Sequence, residues 1–171
     1  MDTAELVKRI KDVAYLEGDF LLRSGRRSKY YLDKYLFETQ PEILAELGRR
    51  FALRADDADL IAGAELGGVP LAAATAMAAG KPFLIVRNTK KDYGTGKMIE
   101  GTVQPAAKVM MVEDVVTTGG QVLEAAKALT EAGLAVTKIV CTIDRMEGGR
   151  ENIESAGYAF EALLTREDLG I

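Results

Sequence analysis

The 171 residues contain no histidine. No imidazole can therefore act as base or metal ligand, which excludes every histidine-based mechanism and every histidine-bound metal. Cysteine occurs once, at Cys141, so there is no intramolecular disulfide and no thiolate metal cluster. It lies in the apolar run KIVCTI and is expected to be a buried strand residue. Any metal must then be oxygen-bound, and Mg2+ carried by a phosphate ligand suits such a chain. Positive charge is not in excess either. The formal net charge of −4 argues against a general nucleic-acid or membrane binder. Long apolar runs are also missing. Nothing reaches the roughly 18 residues needed to span a bilayer, and the alanine-rich stretch from Leu71 to Gly80 stops at Lys81. Asp2, Glu5, Lys8 and Arg9 charge the first turns with no apolar segment behind them, so no signal peptide is read and the cytoplasm is the expected compartment. No internal repeat and no low-complexity linker breaks the chain.

What is present is a folding composition, 48% hydrophobic and 28% charged, long enough for one domain over residues 1–171. Residues 3–17 have a helical period, with Leu6, Ile10 and Val13 on one face. Asp19 to Asp33 is predicted to be two short strands around a Ser24-Gly25 turn. Pro41 opens a second helix whose face carries Leu44, Leu47 and Phe51. Strands and helices then alternate. DLIAGA, PFLIVR, KVMMVED, VTKIVCTID and YAFEALL are predicted strands. Between them come an alanine-rich helix to about Ala79, a helix with Val122, Ala125, Leu129 and Ala132 inward and Gly133 as its stop, and a helix in GGRENIESAG. This alternation, with continuously apolar strands, predicts an α/β fold: a mostly parallel central sheet flanked by helices. Ligands of such sheets bind beyond the carboxyl ends of the strands, where three loops stand out: Ala64 to Gly68, Asn88 to Lys97, and Glu113 to Gly120.

The last of these is the most informative. Glycines at a helix start let backbone N–H groups converge on an anion, with the helix dipole and the hydroxyls of Thr117 and Thr118 adding to the attraction. Plain capping by Thr118 is the alternative, but Thr-Thr-Gly-Gly is more than one cap requires. Glu113 and Asp114, directly after VMMV, would repel phosphate. They suit sugar hydroxyls, or a share in holding Mg2+. A phosphate nest beside hydroxyl acceptors describes a ribose phosphate, the competing reading being a solvated acidic turn. The loop RNTKKDYGTGK sets Arg87, Lys90, Lys91 and Lys97 against Asp92, a local charge of +3. With Gly94 and Gly96 it suits a lid over a polyanion, or else a solvated charge run. No Walker or dinucleotide glycine motif follows a strand.

VMMVEDVVTTGG resembles the diphosphoribosyl signature of type I phosphoribosyltransferases. SGRRSKYYLD, KKDYGTGKMIEG and IDRMEGG narrow the resemblance to the orotate phosphoribosyltransferase family, over nearly the whole chain. The resemblance implies the type I phosphoribosyltransferase fold with a small N-terminal hood of about residues 1–40 and a core of about 55–165. It implies transfer of phosphoribosyl from phosphoribosyl diphosphate to orotate, giving orotidine monophosphate and diphosphate with Mg2+. The ion would not be held mainly by protein side chains. Lys90, Lys91 and Asp114 are the implied catalytic groups. Arg87, Asn88, Lys91, Tyr93, Glu113, Asp114, Val115, Val116, Thr117, Thr118, Gly119, Gly120 and Gln121 would bind phosphoribosyl diphosphate. Arg23, Tyr31, Thr117 and Arg145 would bind orotate. Ala64 to Gly68 would be a second diphosphate turn. The resemblance also implies a homodimer, with the basic loop acting in the neighbouring subunit's site. Asn88, Tyr93 and Gly67 depart from residues common in the family, as does the absence of a further arginine in MEGG. A phosphoribosyltransferase for another base, and a non-catalytic sensor of phosphoribosyl diphosphate, are the competing functional readings.

Overall fold

A computed structural model describes residues 1–21, 25, 27–89 and 97–171. Helix α1 spans Thr3–Ala14, and Asp2 caps it by accepting the N–H of Glu5 at 2.8 Å. Leu6, Ile10 and Ala14, four residues apart, are its buried face. The helix stops three residues short of the predicted 17 because the chain enters strand β1, Tyr15–Leu21. That strand pairs antiparallel with β2, Arg27–Leu32. Tyr15 stacks on Tyr30 at 5.6 Å, so cross-strand aromatic packing overrides the helical period of these residues. Gly25, in the connection, has φ +82°, which a β-carbon would oppose.

Helix α2, Lys34–Glu38, is one turn long, capped by Asp33, and has no counterpart among the predicted elements. Helix α3, Pro41–Ala52, starts at its proline as predicted. Its face is centred on Ile43, Leu47 and Phe51, and Leu44 is only half-buried at its margin. Gly48 lets α3 close on helix α4, Gly68–Ala79: a β-carbon on Gly48 would lie 2.7 Å from the Ala74 backbone.

The remaining strands are β3 Leu60–Ala64, β4 Phe83–Val86, β5 Ile99–Glu100, β6 Lys108–Val116, β7 Ala135–Asp144 and β8 Ala159–Thr165. Helix α5, Gly120–Glu131, follows β6, and α6, Gly149–Ser155, follows β7. The sheet order is β5-β4-β3-β6-β7-β8, parallel throughout except for the antiparallel edge strand β5, which the sequence reading did not anticipate. Helices cover both faces. Met110 and Val112 belong to the core beneath α1, α3 and α4, whereas Val109 and Met111 join the core beneath α5 and α6. Their alternation is the two-residue period of a strand buried on both sides. Cys141 is buried in the second core, as expected. Ala132 is not: it is the exposed C-cap of α5, and Gly133 then turns the chain with φ +85°. Among the described residues no helix is long and apolar enough to cross a membrane.

Strands β3 and β4 run outward to one side of the sheet and β6, β7 and β8 to the other, so the direction of winding reverses between β3 and β6. A crevice opens beyond the carboxyl ends at such a reversal. The turn after Ala64 and the loop after Val116 flank it.

Leu47→Ala should cost about 2–5 kcal/mol in urea unfolding, the range for an emptied core site, and Leu44→Ala clearly less. Equal losses would contradict the observed helix face.

Candidate functional site

Strand β6 begins with an apolar run, Val109 to Val112, and Glu113 and Asp114 follow it within the last residues of the strand. Neither is solvated: Asp114 is 1% exposed and Glu113 8%. The acidic-turn alternative is thereby set aside. The strand ends at Val116, and Thr117, Thr118 and Gly119 lead into α5. Gly119 is the N-cap with φ +81°, and no side chain caps the helix. Thr118 is exposed and does not cap it, so the first-turn N–H groups face the loop without a side-chain acceptor. That is the arrangement an anion completes. The loop is braced from behind. Asn152 donates to the Thr118 carbonyl at 2.9 Å, and a β-carbon on Gly149 would lie 2.4 Å from Val116 Cγ1.

A cavity of about 540 Å3 opens over this segment, lined by Tyr31, Lys34, residues 113–122, Arg145 and Glu147. Of the residues singled out in the sequence, it gathers Tyr31, Glu113, Asp114, Val115, Val116, Thr117, Thr118, Gly119, Gly120, Gln121 and Arg145. Tyr31 comes from β2, where its ring packs 5.6 Å from Phe20. Arg145 follows β7, and its guanidinium lies 3.2 Å from Glu147. Arg87 and Asn88 are not in this lining. Arg87 faces Glu65 at 3.4 Å and Glu100 at 3.9 Å, and the Asn88 N–H donates to Glu65 Oε2 at 3.1 Å. Gln121 ties the two regions together by donating to the Glu65 carbonyl at 3.0 Å and to Asn88 Oδ1 at 3.3 Å. Arg23, Lys90, Lys91 and Tyr93 lie outside the described residues.

Sequence reasoning missed the side chains that make the acid pair tolerable. Lys34 on α2 places its ammonium 2.6 Å from Asp114 Oδ2, with its own side chain 33% exposed. Burial works against that ammonium and Asp114 outweighs it, so the lysine holds its proton more tightly than usual. Glu38, four residues on, is 1% exposed, with no hydrogen-bond donor at either carboxyl oxygen. Burial, and then the charge of Asp114, push its pKa up to about 9. Glu113 is raised to about 8 for the same two reasons, although its Oε1 accepts the Asp114 N–H at 2.9 Å. Gly67 closes the cluster: a β-carbon there would lie 1.8 Å from Asp114 Oδ2 and 3.1 Å from Glu38 Oε1. The turn after β3 and the acid pair within β6 thus lie directly against each other. The available signal was Asp33-Lys34 directly after an aromatic strand, in a helix too short to show a period.

The sign of the resulting pH effect follows from Glu38. Its folded pKa of about 9 lies above the ordinary 4.5, so the folded chain keeps a proton that the unfolded chain has lost. Its contribution is complete below about 4.5 and is lost as pH rises toward 9. Between pH of about 5 and about 9 the ligand-free melting temperature should fall, and Glu38→Gln should reduce that slope. Identical slopes would contradict the buried, proton-holding Glu38.

A model of the phosphoribosyl transferase domain matches residues 37–157. An orotate phosphoribosyltransferase of Methanocella arvoryzae is 48% identical, covering 99% of this chain and 97% of its own. Among solved structures, Mycobacterium tuberculosis orotate phosphoribosyltransferase superposes with TM-score 0.89 at 32% identity, over 98% of both chains. The same enzyme in complex with 5-phospho-alpha-D-ribosyl 1-diphosphate gives TM-score 0.84 at 32% identity, again over 98% of both. With the acid pair, the open helix start and the strand order all in place, the chain belongs to the orotate phosphoribosyltransferase family.

Proposed function

We propose that this chain transfers the phosphoribosyl group of phosphoribosyl diphosphate to orotate, releasing diphosphate and forming orotidine 5′-monophosphate for pyrimidine nucleotide synthesis. One observation carries the reading: an uncapped, glycine-opened helix start shares a single cavity with a buried acid pair, Tyr31 and Arg145. The helix start suits the 5′-phosphate, with N–H groups and the Thr117 and Thr118 hydroxyls as donors. Glu113 and Asp114 are acceptors for ribose hydroxyls. Arg145 and Tyr31 offer a cation and an aromatic face to an acidic planar base.

The reaction asks little covalent chemistry of the protein. A ring nitrogen of orotate, in its N-deprotonated anionic form, forms a bond to the anomeric carbon as the bond from that carbon to the diphosphate oxygen breaks. Positive character builds on the sugar and negative charge on the leaving group. The chain's tasks are to align the two ligands, stabilise the departing charge and exclude water. No protein base is required, which accords with a chain without histidine. The donor set of carboxylates beside a phosphate nest suits a hard cation carried on ligand oxygens. Mg2+ so bound would neutralise diphosphate charge as it develops. By sequence, Lys90, Lys91 and Tyr93 belong to the same task, and Arg87 and Asn88 stand at the base of their loop. The reading includes a homodimer whose basic loops act in each other's sites, and work in the cytoplasm.

The test is direct. The purified protein is mixed with phosphoribosyl diphosphate, Mg2+ and orotate, and loss of orotate absorbance is followed. Adenine, guanine, xanthine and uracil serve as parallel substrates. Mg2+-dependent consumption of orotate alone is the expected result. Turnover of another base in its place would contradict the assignment of Tyr31 and Arg145 to orotate.

A further inference from the structure

Helix α2 presents a charged residue to the site that the roles above do not use. Asp114 has two oxygens. Oδ1 accepts the Val115 N–H, and Oδ2 is held by Lys34 at 2.6 Å. The oxygen that a ribose hydroxyl would need is therefore ion-paired with the ammonium of Lys34 but accepts no well-aligned hydrogen bond. The accessible partner is the lysine, 33% exposed, whereas the carboxylate is 1% exposed.

We propose that Lys34 is a further ligand-contacting residue: when phosphoribosyl diphosphate enters, its ammonium leaves Asp114 for an anionic diphosphate oxygen, and the freed Asp114 Oδ2 accepts a ribose hydroxyl. The inference rests on the functional reading above and deepens it.

Three features favour this exchange. First, Lys34 and the turn after β3 converge on the same atom. A methyl group on Gly67 would sit 1.8 Å from Asp114 Oδ2, so the turn cannot itself project a side chain there, and the cation arrives from α2 instead. Second, a diphosphate brings several negative charges towards the buried carboxylate of Asp114. Among the described residues lining the cavity the cations are Lys34 and Arg145, and Arg145 already faces Glu147 at 3.2 Å. Third, Asp114 is the fixed partner: it is buried in strand β6, and Gly67 lies directly against its Oδ2. The lysine, on a flexible four-carbon stem, is the partner able to move.

Calorimetric titration with phosphoribosyl diphosphate and with ribose 5-phosphate, both with Mg2+, tests the exchange on wild type and Lys34→Met. Ribose 5-phosphate has the phosphate and hydroxyls but no diphosphate. The exchange predicts about a tenfold to hundredfold weaker binding of phosphoribosyl diphosphate by the variant, the cost of removing one partner of a charge pair, with ribose 5-phosphate binding unchanged or tighter. Undiminished binding of phosphoribosyl diphosphate overturns the proposal. So does an equal loss for both ligands, which would make Lys34 only a prop for Asp114. A crystal structure of the wild-type protein with phosphoribosyl diphosphate gives a reading that does not depend on the variant's folding. The ammonium within about 3 Å of a diphosphate oxygen supports the exchange, and an unbroken Lys34–Asp114 pair overturns it. Wild-type protein that binds neither ligand would overturn the functional reading, and the exchange with it. Failure of the variant comparison alone leaves that reading intact.

Discussion

Two adjacent carboxylates at the buried end of a strand cannot both stay charged without help. Moving an isolated carboxylate out of water costs several kcal/mol even after the protein relaxes. Here the cost is met in two ways. Asp114 is paired with Lys34 at 2.6 Å, and Glu113 and Glu38 are pushed towards their neutral forms by burial and by Asp114. The cluster draws on three parts of the chain: α2 supplies Lys34 and Glu38, β6 supplies the acid pair, and the turn after β3 supplies Gly67. A ligand that brings hydroxyl donors and a cation of its own relieves the same frustration, so the energetics of the free site already resemble a request for such a ligand.

The sheet explains why these parts meet. Winding reverses between β3 and β6, so the two turns that flank the reversal project side by side with no strand between them. Gly63 and Gly67 permit the contact. A β-carbon on Gly63 would lie 2.0 Å from the Gly68 carbonyl oxygen, and one on Gly67 would strike Asp114. The small N-terminal sheet of β1 and β2 then brings Tyr31 over the cavity, and Asp33 caps the turn that carries Lys34. Gln121 and Glu65 link the helix start to Asn88, beyond the end of β4.

Much of this was legible in the residues. The continuous apolar runs of β3, β6 and β7 announced a parallel sheet. Thr117 to Gly120 pointed to the proposed anion site, because four such residues exceed what capping needs. Local signals failed where a distant contact decided the outcome. Residues 15–17 kept a helical period, but pairing with β2 made them a strand. Leu44 fitted the α3 face by period, yet contact with α4 centred that face on Ile43 and Leu47. β5 is two residues long and α2 only five, too short for any period to register. Lys34 and Glu38 were invisible for that reason: their importance lies in what β6 brings against them. Glu113 and Asp114 were read as hydroxyl acceptors, and their depth of burial, which sets their chemistry, could be seen only in three dimensions.

The central claim is that the buried acid pair beside an open helix start is a ribose phosphate site. Calorimetric titration of Asp114→Asn with phosphoribosyl diphosphate, compared with inorganic phosphate, tests it most directly. The account predicts at least about tenfold weaker binding of phosphoribosyl diphosphate, with inorganic phosphate binding retained because the helix start is untouched. Phosphoribosyl diphosphate bound as tightly as by the wild-type protein would contradict it.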